Sequence, residues 1–148
     1  MNKIFITIAT MALLTLFTSA YNNQMADSRV GYQAPNFTVE RGDSTVSLQQ
    51  LRGQRVMVTF WSTTDVESRL SNMKHDRNST HDGMTHLSVN MDRSEGVYQM
   101  AIRMDRLHKK SQFHADSAQQ EELTKAWRLD GRSNTFIIGP DGRIEEIL

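Results

Sequence analysis

The chain of 148 residues contains no cysteine. A disulfide scaffold, a thiolate metal site and a cysteine nucleophile are thereby excluded. An excess of one charge is also missing, since 17 Lys and Arg face 17 Asp and Glu. That balance excludes a strongly basic body tracking a phosphate backbone, so no nucleic-acid partner is expected. Long hydrophobic runs are absent but for one, Ile4–Phe17, and at about 14 residues it falls short of the roughly 20 a membrane-spanning helix needs. What remains is 38% hydrophobic and 23% charged, a globular rather than disordered profile. The length suits one domain with a real core.

The apolar run follows a single charge, Lys3, and ends in the small residues Thr18-Ser19-Ala20. This is the pattern of a secretory signal over residues 1–20, cleaved after about Ala20. The expected location is the periplasm or outside the cell; an uncleaved leader is the alternative and the only route to a membrane. Export implies an oxidising compartment in which paired cysteines persist, so their absence is informative. Residues 21–29 read as a flexible polar lead, and residues 30–148 as the domain.

Within the domain, Phe37 and Val39 alternate as in a short strand, Arg41-Gly42-Asp43-Ser44 is turn chemistry, and Thr45-Val46-Ser47 can pair back. Leu48 and Leu51 form one helical turn closed by Gly53. Arg55–Trp61 is a nearly continuous apolar and β-branched run, expected to be a strand buried on both faces. Thr64-Asp65-Val66-Glu67 then reads as a capping box with Asp65 in the first turn, and Val66, Leu70 and Met73 as the buried stripe of a helix. The polar stretch Lys74–Thr85 predicts a loop, and Met84–Met91 a second strand. Ser94–Lys110 predicts a helix with Val97, Met100, Met104 and Leu107 inward and the basic run Arg103–Lys110 on the solvated face. A short strand is expected around Phe113, then a helix capped by Ser117-Ala118-Gln119-Gln120 and carrying Leu123 and Trp127. Thr135–Gly139, a Pro140-Asp141-Gly142 turn and Arg143–Ile147 make a terminal hairpin. Parallel crossovers followed by a hairpin imply an α/β fold with a mixed sheet.

His75, His81 and His86, with Asp76 and Asp82 nearby, invite a metal reading. Their spacing matches no tight motif, however, and neither do His108 and His114, so no metal or other cofactor is expected. Met57, Met73, Met91, Met100 and Met104 sit at core-facing spacing. Trp61 and Trp127 are expected in the core or as the wall of a groove.

Three segments in this order carry a resemblance: Gly31-Tyr32-Gln33-Ala34-Pro35-Asn36-Phe37, Val58-Thr59-Phe60-Trp61-Ser62-Thr63-Thr64, and the stretch from Gly131 to Ile144 that includes Thr135-Phe136-Ile137-Ile138. Together they resemble the thioredoxin superfamily, in its TlpA-like and redoxin (AhpC/TSA) branch. The resemblance implies a thioredoxin-like fold, a mixed central sheet flanked by helices with an N-terminal strand extension. No segment matches the last helix into which many relatives continue. It also implies a redox motif, W-x-x-x-C-x-x-C-R, which falls on Trp61–Arg69. Asp65 and Ser68 stand where that motif has cysteines, and Ser133 stands at the position of the family's cis-proline. A cis bond before a residue other than proline costs about 2.5–4 kcal/mol, so the Arg132–Ser133 bond is expected to be trans.

Thiol–disulfide exchange needs an attacking thiolate and a second sulfur to resolve the mixed disulfide. A carboxylate and a hydroxyl supply neither. At a helix N-terminus, Asp65 is expected to stay ionised and bound to backbone N–H groups, worth roughly 0.3–1 kcal/mol if exposed. Ser68 has no evident base. The expected function is therefore a non-catalytic binding or accessory module, taking a protein or peptide at an edge formed by Trp61, Asp65, Ser68 and Ser133. The alternative is a thiol–disulfide oxidoreductase or peroxiredoxin-type member with lost or altered activity.

Overall fold

The computed structural model describes residues 26–129 and 134–148. The leader and Ser133, with the expected trans bond before it, lie outside the described residues.

A hairpin of β1 (Thr38–Arg41) and β2 (Ser44–Ser47) leads through the 3₁₀ turn Leu48–Leu51 to β3 (Val56–Trp61). There follow α1 (Val66–Asn78), β4 (Thr85–Asn90), α2 (Glu95–Met104), β5 (Gln112–His114), α3 (Ser117–Trp127), β6 (Thr135–Ile138) and β7 (Ile144–Ile147). The main sheet runs β5-β4-β3-β6-β7, with β3, β4 and β5 parallel and β6 and β7 antiparallel. This is a thioredoxin-like architecture: a mixed central sheet flanked by helices. Two successive crossovers step the same way across the sheet, so α1 and α2 share one face and α3 covers the other.

The faces differ in chemistry. On the α3 side, Val56, Val58 and Phe60 of β3 join Leu87, Val89, Phe136 and Ile138 in the larger core. Phe37, Phe60, Trp127 and Phe136 form an aromatic cluster there, with centroids 4.9–6.1 Å apart. On the other side, β3 and β4 place Thr59 beside Ser88 and Trp61 beside Asn90, and all four are buried. Strand alternation produces both surfaces from one stretch of chain.

The polar sheet face turns α1 around. Val66 and Leu70, expected inside, are 69% and 59% exposed, whereas Ser68, Asn72 and Asp76 are buried. Spaced four apart, those three make one stripe, which hydrogen-bonds across the layer: Asn72 Nδ2 donates to Gln112 Oε1 (3.3 Å). The helix also continues to Asn78, through residues expected to form a loop, because Asp76 anchors its last turn to the chain around His108. α2 departs similarly. It ends at Met104, buries Tyr98, Ala101 and Ile102, and leaves Val97, Met100 and Met104 exposed. Only Leu107, beyond the helix, is buried as expected.

This inversion predicts unequal responses on one helix. Leu70→Ala should change stability by less than about 0.5 kcal/mol, as for a surface site. Asn72→Ala, which strips a buried hydrogen-bonding group, should cost about 1 kcal/mol. Urea melts of both variants check the order, and a larger loss at Leu70 would show that α1 packs through its apolar side.

Candidate functional site

The site lies at the C-terminal end of β3, where the chain turns into α1. Asp65 is the residue that caps the helix, one position later than the expected Thr64. Its Oδ1 accepts from the backbone N–H of Glu67 (3.1 Å) and Ser68 (3.5 Å). Thr64 instead pairs its hydroxyl with that of Ser62 (2.8 Å). A one-residue shift in the opposite direction occurs at α3, capped by Asp116, one position before the expected Ser117, in a box with Gln119. In both places an aspartate carboxylate reaches the free N–H groups and takes the position from a neighbouring hydroxyl residue.

Ser68 is buried. Its Oγ donates to the Asp65 carbonyl (3.2 Å) and accepts from the Ser62 N–H (3.2 Å). The hydroxyl thus staples the strand–helix turn, and among the described residues no hydrogen bond joins it to a base. His75, also on α1, has a buried Nδ1 without a hydrogen-bond partner among the described residues. Burial, followed by the charges of His86 and Lys74, lowers its pKa below the usual histidine value. Trp61 is 1% exposed and packs with Tyr98, Ala101, Ile102 and Leu107, which makes it a core residue at the root of the site. Trp127 is likewise core.

Asp92, in the turn after β4, was not singled out from the sequence. Its Oδ1 accepts from Ser62 Oγ (2.6 Å) and the Thr63 N–H (3.1 Å), and its Oδ2 from Asn90 Nδ2 (2.8 Å). Burial alone would raise its pKa, but the hydrogen bonds from Ser62, Asn90 and Thr63 outweigh it and hold the carboxyl below the usual aspartate range. The Asp92 carbonyl also accepts from Gln120 Nε2 (2.8 Å), and His114 Nε2 lies 2.7 Å away. One residue therefore fastens the site turn to β4, β5 and α3. The signal available in the sequence is Asn90-Met91-Asp92 directly after a strand, a pair of turn-forming side chains.

A small cavity of about 190 Å³ opens beside Asp65 and Ser68, bordered also by Trp61, Met91, Leu129 and Asn134. A larger one, about 490 Å³, lies among Gln33, Arg52, Gln54 and Gly142. It reaches Val56, the opposite end of β3 from Trp61, and so lies away from this chemistry.

The histidines do not converge. His86 pairs with Asp82 (Nε2–Oδ2 2.7 Å) and His108 with Asp76 (Nδ1–Oδ2 2.9 Å), in separate places. No group of three or more His, Asp or Glu side chains among the described residues is arranged to hold a metal ion.

A model of the AhpC/TSA family matches residues 30–147. Among solved structures, a thioredoxin-like protein from Parabacteroides distasonis is similar at 22% identity, with a TM-score of 0.68, over 83% of this chain and 89% of that one. The thioredoxin domain of a thiol-disulfide oxidoreductase from Bacteroides vulgatus is similar at 24% identity and a TM-score of 0.67, over 80% and 87%. A thiol:disulfide interchange protein from Bacteroides sp. is similar at 23% identity and a TM-score of 0.68, over 80% of each chain. No curated protein matches.

Proposed function

This chain belongs to the AhpC/TSA family, and we propose that it works within that family by binding rather than by redox turnover. With no cysteine, it lacks the thiols on which the family's thiol–disulfide chemistry depends. The observation that carries the binding reading is the state of the α1 N-terminus. The Glu67 and Ser68 N–H groups, which would stabilise a thiolate, are taken by the Asp65 carboxylate. The Ser68 hydroxyl is committed to the turn. The edge thus keeps a capped frame and a small cavity but presents no thiol. An extended protein or peptide segment is the proposed occupant, held through backbone groups and side chains at the cavity mouth. The leader pattern supports export to the periplasm or beyond.

The purified chain should reduce no insulin and consume no peroxide above buffer. A photo-crosslinking residue at position 65 should capture a discrete partner in the native envelope, and one at the exposed Glu121 on α3 should not. Turnover abolished by Asp65→Ala or Ser68→Ala would overturn the binding reading in favour of altered enzymatic activity.

A further inference from the structure

The cavity of about 490 Å³ at the N-terminal end of β3 has no role in the binding proposed at the Asp65 edge. Its volume falls within the roughly 300–1,000 Å³ of small-molecule sites. Leu48, Leu51, Val56 and Ile138 give it apolar walls, and its lining holds two arginines, Arg52 and Arg143, with no aspartate or glutamate.

The two arginines differ. Arg143 is engaged by Asp141 (3.5 Å) and by the Gly31 carbonyl, to which its Nη1 donates at 2.7 Å. Arg52 forms no ion pair among the described residues. Its Nη2 donates to Gln33 Oε1 (2.8 Å), and Gln33 Nε2 donates in turn to the Asp141 carbonyl (3.4 Å) in the turn between β6 and β7. Gly142 lets the guanidinium lie against that turn, since a Cβ there would stand 3.1 Å from Arg52 Nε. The fork is thus oriented in advance, and most of its N–H donors have no acceptor among the described residues.

The amides beside it have spent their acceptors. Gln33 Oε1 takes the bond from Arg52. Asn36 Oδ1 accepts from Ser47 Oγ (3.1 Å) and the Gln49 N–H (2.9 Å), and Gln54 Oε1 accepts from Thr85 Oγ1 (2.6 Å). What Asn36 and Gln54 have left for a ligand is an NH₂ group each. Apolar walls, spare donors and a guanidinium without a counter-ion suit a ligand with an apolar body and a negatively charged head that only accepts. A carboxylate is such a head, and its two oxygens match the arginine fork.

We propose that this cavity binds a small organic monocarboxylate, its head on Arg52 and its apolar tail against Leu48, Leu51, Val56 and Ile138. The site lies at the far end of β3 from Asp65, so it stands or falls separately from what that edge binds.

Isothermal titration of the purified chain with hexanoate at neutral pH tests it. The expected result is saturable binding with a dissociation constant below about 1 mM. Acetate, which lacks the tail, should bind at least about ten-fold more weakly, and hexylamine, which carries the wrong charge, should not bind. Arg52→Gln should raise the hexanoate dissociation constant at least about ten-fold. Arg52→Lys keeps the charge but loses the fork, and should raise it about three-fold or more. Arg55→Gln should stay within about two-fold of the parent, because Arg55 pairs with Glu145 (2.8 Å) and does not line the cavity. Urea midpoints of these variants should match the parent, which separates loss of the site from loss of fold. Amide shifts on adding hexanoate should centre on Gln33, Arg52 and Gly142. Absence of saturable binding would overturn the proposal. So would binding that R52Q leaves unchanged, or shifts centred on the Asp65 edge.

Discussion

Replacing Asp76 with alanine should lower stability by about 3 kcal/mol, a larger loss than is expected from Asn72 or Leu70 on the same helix. The carboxylate is 3% exposed. It accepts from the His108 N–H (3.1 Å to Oδ2), His108 Nδ1 (2.9 Å), Ser111 Oγ (3.2 Å) and Gln112 Nε2 (3.2 Å). Gln112 is itself fully buried, and without Asp76 its Nε2 keeps only Asn72 Oδ1 as an acceptor among the described residues, at 3.4 Å. The Gln112 Nε2 donor, left short of an acceptor in this buried layer, loses solvation with little in return, which makes the penalty exceed that of an ordinary surface cap. Asp76→Asn keeps one acceptor oxygen and should lose about half as much. Urea denaturation measures both, and a loss below about 1 kcal/mol for Asp76→Ala would mean that the polar layer does not hold α1 in place.

Asp92→Ala is the second large effect, about 2–3 kcal/mol, because it frees the Ser62 hydroxyl, the Thr63 N–H and the Asn90 amide together. Its pH dependence carries a definite sign. The folded carboxyl ionises below the usual aspartate value, so its contribution is complete above that value and is lost as the pH falls through the folded one. The parent should therefore lose stability progressively from about pH 5 downward, and Asp92→Asn, with no proton to bind there, should show a shallower acid limb. Parallel acid limbs in the two proteins would show that the network does not depend on the charge. The same variant reports on function. If the Asp65 edge binds a partner, loosening the turn at Ser62 and Thr63 should weaken crosslinking from position 65 even where the fold survives.

Much of the fold was legible in the chain. The β-branched run Val56–Trp61 could be little other than a buried strand. Leu87 and Val89 alternated correctly, and Leu123 and Trp127 marked the buried side of α3. The aspartate at the helix start was visible too, displaced by one residue. The apolar stripes of α1 and α2 misled, because periodicity reports that a helix has two faces and not which of them meets the sheet. His86, Ser88 and Asn90 alternate with Leu87 and Val89, a pattern that ordinarily means a strand face open to water. Here that face is covered, and the helix covering it had to present Ser68, Asn72 and Asp76 to match.

Composition alone determined that no sulfur chemistry of the thiol kind can occur in this chain, since an absent atom cannot be restored by folding. Order and spacing of residues determined the succession of elements, because backbone propensity and alternation act locally. Only the tertiary structure decided that Asp92 ties the site turn to three other elements, that the Ser68 hydroxyl is spent on that turn, and that Val66 and Leu70 face water. The ties of Asp92 and the facing of α1 depend on groups far apart in the chain that meet only when the layers pack, as Asp92 meets Ser62 and Asn72 meets Gln112, whereas the Ser68 bonds join neighbours within the turn whose path that packing sets.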